Sequence, residues 1–265
     1  MDVRIFYGPR FNESAAALDG VDEAFLADVR EAMLARHLVI IRGVFPRAML
    51  DKARQDVVRF FENRELELNQ GEVAFGAPNF YRTYDNPAKS KVKSICKAAF
   101  LFYWNKSQSL EQKMFTAVSR FRNNLAGYAP EFTIGSIDED WSTIPTVSHY
   151  PAGGGHLNMH VDPVSRNYCN ILVAMTEKGR DFHSGGLYLK EGDEKLVADD
   201  HLKAGDIYLF YPDIAHGIDS IDSDRQGGVN WWGDDGRWVL IPALTYLPGY
   251  GDYKTDGLKD LESAN

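Results

Sequence analysis

Between Gly153 and Pro163 the chain reads GGGHLNMHVDP, which sets two histidines and an aspartate close together between a glycine run and a proline. In an extended strand, residues i and i+2 share a face. His160 and Asp162 therefore project together, with Asn158 on the same side. An imidazole and a carboxylate pointing the same way form two adjacent corners of a metal's coordination shell, so a third ligand must come from another strand. His216 is suited to this: it follows KAGDIYLFYPDIAH, which reads as a turn, an apolar strand and a proline-containing turn, and it begins the next strand. Two histidines and one carboxylate on one triangular face, with the other positions open, suit non-haem Fe(II) that must also bind oxygen and a cosubstrate. Structural zinc more often closes a tetrahedron and uses cysteine.

A second pairing, His156 with His160, has the four-residue spacing of the HExxH helix of zinc peptidases. Position 157 is Leu rather than the glutamate that chemistry needs, and the flanking glycines and Pro163 oppose a helix. His149 and His156 lie near the site but alternate poorly with it and can only support it from behind. His37, His183 and His201 have no such setting.

Positioning these side chains requires strands, and the second half of the chain supplies them. Runs of β-branched and aromatic residues alternate with turn signals at 143–150, 156–162, 167–175, 185–190, 195–198, 206–211, 216–221 and 237–247. Eight strands with no helix between them point to a sandwich or barrel rather than a parallel sheet. The first half is mixed. Residues 21–37 and 46–66 show helical periodicity around a short buried strand at 38–42, with Pro46 in the first turn of the second helix. Residues 71–87 read as a loop. From 89 to 125 helical periodicity returns, with Leu101, Trp104, Leu110, Met114 and Phe121 as core positions. The expected architecture is mainly β with flanking helices: a jelly-roll core at 140–250, a helical or mixed support region at 1–139, and a tail at 251–265, all in one domain.

Composition narrows the function classes. The 265 residues are 44% hydrophobic, enough for a core without disulfides, and 25% charged, near the globular average. A net charge of −9 disfavours a nucleic-acid partner, which wants a basic face. The two cysteines, Cys96 and Cys169, read as buried free thiols of a reducing compartment. No segment has the length of a membrane span, and the first residues carry no apolar signal run, so a cytoplasmic protein with no membrane partner is expected.

From residue 140 to 247 the chain resembles the Fe(II)/2-oxoglutarate-dependent oxygenase superfamily. The ordered features are SHYPAGGG, HVD (160–162), DFHSGGLYLK with its Gly185–Gly186 pair, KAGDIYLF, His216, and a closing strand that opens Gly236–Arg237. The resemblance implies a double-stranded β-helix, Fe(II) held by His160, Asp162 and His216, 2-oxoglutarate as cosubstrate, and O2. It implies oxidation of an unactivated C–H, with hydroxylation first among the outcomes and succinate and CO2 released. In related halogenases a small residue replaces the carboxylate, so Asp162 resembles the oxygenating branch. The far carboxylate of 2-oxoglutarate is held in that family by a basic residue beyond the distal histidine. Arg237, at the start of an apolar strand, is the first candidate and Arg225, in a polar stretch, the alternative. Many members carry Ser or Thr two residues after that arginine. Here the position is Val239, and Tyr150 is the candidate to assist instead.

Substrate contacts are expected from APNFYRTYDNP, with Tyr81 and Arg82, from Asn158, and from QGGVNWWGDDGRW (226–238), with Trp232. The last segment reads either as a lid over the metal or as a loop packed on the barrel. Asp234 and Asp235 near the opening point to a small polar or cationic substrate such as an amino acid or natural-product intermediate. Two other readings stay open: a cupin-like metal enzyme that uses no 2-oxoglutarate, and a non-catalytic β-barrel binding module.

Overall fold

The computed structural model describes residues 1–68, 75–87, 92–105, 109–162, 164 and 168–249. The expected tail at 251–265 lies outside the described residues.

All eight expected core strands form. They are β7 (Trp141–Pro151), β8 (His156–His160), β9 (Asn170–Ala174), β10 (Gly186–Glu191), β11 (Glu194–Val197), β12 (Ile207–Phe210), β13 (Ala215–Asp219) and β14 (Gly236–Tyr246). They make two facing halves of one curled sheet. One half runs β12-β9-β14-β7 and the other β8-β13-β10-β11. The first half is extended at its edge by β4 (Leu38–Ile41), and β1 (Val3–Phe6) pairs parallel to β4 beyond it. A short hairpin of β2 (Arg10–Asn12) and β3 (Ala17–Asp19) stands apart from this sheet.

Strand alternation explains the two cores. Val39, Ile41, Ile207, Leu209, Val173, Trp238 and Leu240 point outward and pack under three helices, α1 (Glu23–Leu34), α2 (Arg47–Glu62) and α3 (Leu110–Leu125). The intervening residues Leu38, Ile40, Tyr208, Phe210, Ala174 and Val239 point inward and meet Leu187, Leu189 and Ile218 of the opposite half. Both faces of these strands are therefore buried, which is why they read as near-continuous apolar runs. Asp22 and Ser109 cap α1 and α3 by accepting from the backbone N–H three residues on. Pro46 sits just before α2 rather than within its first turn.

Two further expectations for the first half are corrected. Residues 80–84, read as loop, form β5 (Phe80–Tyr84). The stretch read as continuous helix from 89 contains β6 (Ser94–Phe100) before α3 begins. β6 is the link between the two halves: Lys97–Phe100 pair with β7 and Ser94–Ile95 with β8. Pairing on both sides outweighs the helical propensity of its Lys and Ala residues. Among the described residues no helix is long and apolar enough to cross a membrane.

Candidate active site

The glycine run that precedes the histidines is a clasp. The N–H groups of Gly153 and Gly154 both donate to the Ile221 carbonyl, and Ile221 N–H donates to the Gly155 carbonyl. At Gly153 (φ +89°) a Cβ would lie 2.1 Å from the Gly228 carbonyl oxygen, so no side chain fits. This clasp ties the start of β8 to the end of β13 and fixes their antiparallel register, in which His160 stands opposite His216. The ladder shifts between His216 and Ile218, a local irregularity of the kind that re-aims side chains. Asp162 follows β8, and its N–H donates to the Pro212 carbonyl at 3.0 Å.

The result is a compact triad. Ligand atoms of His160, Asp162 and His216 all lie within 4.8 Å of one another. His160 Nε2 is 3.7 Å and His216 Nε2 3.4 Å from the Asp162 carboxylate, and the imidazole centroids are 4.2 Å apart. Each ring's Nδ1–H donates to a backbone carbonyl two residues earlier, His160 to Asn158 at 2.9 Å and His216 to Ile214 at 3.0 Å. Those bonds fix the tautomer and leave both Nε2 lone pairs facing the triad centre, as metal ligation requires. Asp162 Oδ2 accepts from Asn170 Nδ2 at 2.9 Å, which orients the carboxylate. His216 is buried, and burial, reinforced by neighbouring His160, holds its pKa below the usual histidine value. The set is able to hold one divalent metal.

The triad opens into a cavity of about 310 Å³. Its wall also includes Arg237, Tyr150 and Tyr208. Arg237 and Tyr150 are directly paired across β14 and β7, so their side chains share the inner face. Arg237 is 2% exposed. Its Nε donates to Asp199 Oδ2 at 2.7 Å and its Nη2 to the Tyr208 hydroxyl at 2.9 Å, while Nη1 has no hydrogen-bond partner among the described residues. Burial works against this guanidinium's charge, but Asp199 and Tyr208 outweigh it and raise its pKa. Burial likewise pushes the Tyr150 and Tyr208 hydroxyls up, so both stay protonated hydrogen-bond donors. The second glycine of the Gly185–Gly186 pair makes room for Asp199: a Cβ at Gly186 (φ +113°) would stand 2.6 Å from Asp199 Oδ2. That oxygen also accepts from Leu187 N–H.

Tyr208 and Asp199 were not singled out in the sequence. The alternation of IYLF, with Ile207 and Leu209 outward, carries the signal for Tyr208 facing inward. Asp199 sits in the 3-10 turn Ala198–Asp200, in an acidic run that reads as an exposed turn, and nothing local marks its burial.

Other expected site residues lie elsewhere. Arg225 is exposed and pairs with Asp235 at 2.7 Å, off the cavity wall. Tyr81 is buried in the outer core against Phe60 and Phe61 because it belongs to a strand and not a loop. Arg82 lies over the rings of Phe80 and Phe100 and donates to the Leu68 carbonyl. Asn158 is exposed and serves through its backbone, as the acceptor for His160. Trp232 is 60% exposed, between the Arg64 guanidinium at 4.5 Å and the Lys97 amine at 4.4 Å, and borders a groove beside α2 with Asp234. Trp231 and Trp232 thus lie beside α2 and off the cavity wall, with Lys97 Nζ donating to the Trp231 carbonyl. His149, on the outer face, stacks on Trp238 and donates to the Asp235 carbonyl, while His156 bonds the Gly154 carbonyl.

No protein-family model matches the sequence, and no curated protein matches it. Solved structures do. A prolyl hydroxylase from Trichoplax adhaerens, in complex with a hypoxia inducible factor peptide fragment, aligns at TM-score 0.52 and 13% identity over 90% of this chain and 93% of that one. A full-length Neurospora crassa protein in complex with alpha-KG and thymine aligns at 0.51 and 12%, over 99% and 97%. A Pseudomonas putida prolyl-4-hydroxylase aligns at 0.50 and 12%, over 86% and 98%. The chain has the jelly-roll fold of the 2-oxoglutarate/Fe(II) oxygenases that its sequence resembles.

Proposed function

We propose that this protein is a 2-oxoglutarate-dependent non-haem iron oxygenase that oxidises an unactivated C–H bond of a small molecule, with hydroxylation as the outcome. The observation that carries the reading is the presence, in one cavity, of a two-histidine, one-carboxylate set with each Nδ1 bonded to backbone and a buried arginine whose Nη1 has no hydrogen-bond partner among the described residues. Either feature alone is compatible with a cupin-like enzyme. Together they suit a metal with open positions and a cosubstrate that carries a carboxylate at its far end.

In this reading His160, Asp162 and His216 hold Fe(II), which supplies oxygen activation coupled to oxidative decarboxylation of 2-oxoglutarate to succinate and CO2. Asn170 keeps Asp162 turned toward the metal. Arg237 takes the far carboxylate through Nη1, assisted by the hydroxyls of Tyr150 and Tyr208 in place of the Ser or Thr that Val239 replaces. Asp199 holds the guanidinium still when no carboxylate is present. The apolar inner residues Phe210, Leu187 and Ile218 keep water away from the reacting centre.

Anaerobic addition of Fe(II) and 2-oxoglutarate tests the reading. The weak visible charge-transfer band of the chelate should appear in the wild type, vanish in His216→Ala and weaken in Arg237→Gln. Iron binding without the band indicates a cupin-like enzyme, and neither iron nor band a binding module.

A further inference from the structure

The cavity has a second compartment that the proposed metal and cosubstrate roles leave unused. β14 stays paired with β7 along all its residues, from Gly236 to Tyr246. It pairs with β9 only at Val239 and Leu240. Beyond Leu240 the two strands part, and the cavity extends into the gap. Residues of both sheet faces therefore reach its wall: Ile171 and Leu172 on the β9 side, Ile241, Ala243 and Leu244 on the β14 side, and Trp141 from β7. Ile241, Ala243, Leu244 and Trp141 are half-buried, so the gap communicates with the outside. At its outer end the Tyr246 ring, 52% exposed, lies 5.3 Å from Trp141.

The chemistry of this compartment is one-sided. Among the described residues that line the whole cavity, the only Asp, Glu, Lys or Arg side chains are Asp162 and Arg237. The first is a proposed metal ligand and the second is paired with Asp199. Asp234 and Asp235, expected near the opening, stand off this wall. An ammonium or carboxylate brought into the gap would be desolvated with no charged side chain on the described wall of the gap to meet it. An apolar group would find aliphatic walls and the indole of Trp141.

We propose that the substrate presents to the metal an uncharged, apolar, ring-bearing portion that occupies the gap between β9 and β14, and that the gap excludes molecules of its own size that carry a charge. This rests on the oxygenase reading and replaces the expectation of a small polar or cationic substrate.

A matched trio tests it: 3-phenylpropanol, 3-phenylpropylamine and 3-phenylpropionate, which share one ring and chain and differ in charge. Binding is measured first on the metal-free protein by tryptophan fluorescence, then on the anaerobic Fe(II)·2-oxoglutarate complex by perturbation of its visible band. The neutral compound should bind at least about tenfold more tightly than either charged one in both states, since only they bring an unpaired charge into the gap. Leu244→Asp should shift the preference toward the amine by about tenfold. Equal or tighter binding of a charged compound to the wild type, no binding of the alcohol at millimolar concentration, or an unchanged preference in a folded Leu244→Asp would overturn the proposal. Neutral preference in the metal-free protein with no chelate band at all would instead retain this compartment and discard the oxygenase reading.

Discussion

Two arginines are buried on opposite faces of the same sheet, and they are solved in opposite ways. Arg122, 3% exposed on α3, has no carboxylate partner among the described residues. Its donors are consumed by neutral acceptors: the Asn123 amide oxygen, the Pro242 carbonyl of β14 and the hydroxyls of Thr133 and Thr143. Burial lowers its pKa. Arg237, at the start of β14, lines the cavity, has a buried counter-ion in Asp199 and has no partner for Nη1 among the described residues. The difference teaches that a buried guanidinium is not by itself an anion site. Every nitrogen of the outer arginine has an acceptor, and the residue serves as a clamp between α3 and the sheet. The inner one is charge-balanced yet incompletely hydrogen-bonded, the state expected of a group that waits for a ligand.

Substitutions should separate the two. Arg237→Gln is expected to have the largest effect, weakening 2-oxoglutarate binding by about 100-fold or more and lowering stability by about 3–5 kcal/mol, because Asp199 is left buried and uncompensated. Calorimetric titration and urea denaturation measure both, and retained affinity would remove Arg237 from the cosubstrate site. Asp199→Asn inverts the imbalance. The ligand-free protein should lose about 3–5 kcal/mol, while 2-oxoglutarate should raise its Tm by more than it raises the wild type's, since the cosubstrate then supplies the missing negative charge. An equal or smaller shift would mean that Asp199 does not act as the resident counter-ion. Arg122→Gln should cost about 1–3 kcal/mol through orphaned acceptors and leave 2-oxoglutarate affinity within about twofold.

The smallest effect concerns His149, which sits on the outer face as Arg122 does. Burial holds its pKa down at about 3. The folded state therefore binds fewer protons than the unfolded state, where a histidine titrates near 6.5. Its contribution to stability is fully present above the unfolded value and is lost as pH falls from there toward 3. Between pH 7 and pH 5 this amounts to about 2 kcal/mol. His149→Phe, which can still stack on Trp238, should flatten the fall in urea midpoint over that interval by this amount, and an unchanged slope would contradict the burial of a neutral imidazole.

The core was legible where a local rule sufficed. Eight strands announced themselves as β-branched and aromatic runs between turn residues, and the HxD spacing with His216 near a strand start pointed to the triad, although Asp162 itself follows β8. What stayed hidden depends on partners distant in sequence. β6 is a strand because β7 and β8 flank it, although its Lys and Ala residues favour a helix. Tyr81 became core once β5 was a strand, and its expected substrate contact went with the loop. Asp199 is exposed in any local reading and is buried only because Gly186 lets it approach Arg237. Arg225 and Arg237 are alike as residue types; the apolar strand that Arg237 opens favoured it, and the fold puts it on the inner face while Arg225 pairs with Asp235 in the open.

The proposed chemistry requires one metal to meet three side chains and one carboxylate to meet Arg237. Anomalous diffraction from crystals grown without oxygen in Fe(II) and 2-oxoglutarate addresses both at once. A single iron peak is expected within bonding distance of His160 Nε2, an Asp162 oxygen and His216 Nε2, with the far carboxylate of the cosubstrate against Arg237 Nη1. Iron bound without His216, or a cosubstrate carboxylate held away from Arg237, would contradict it.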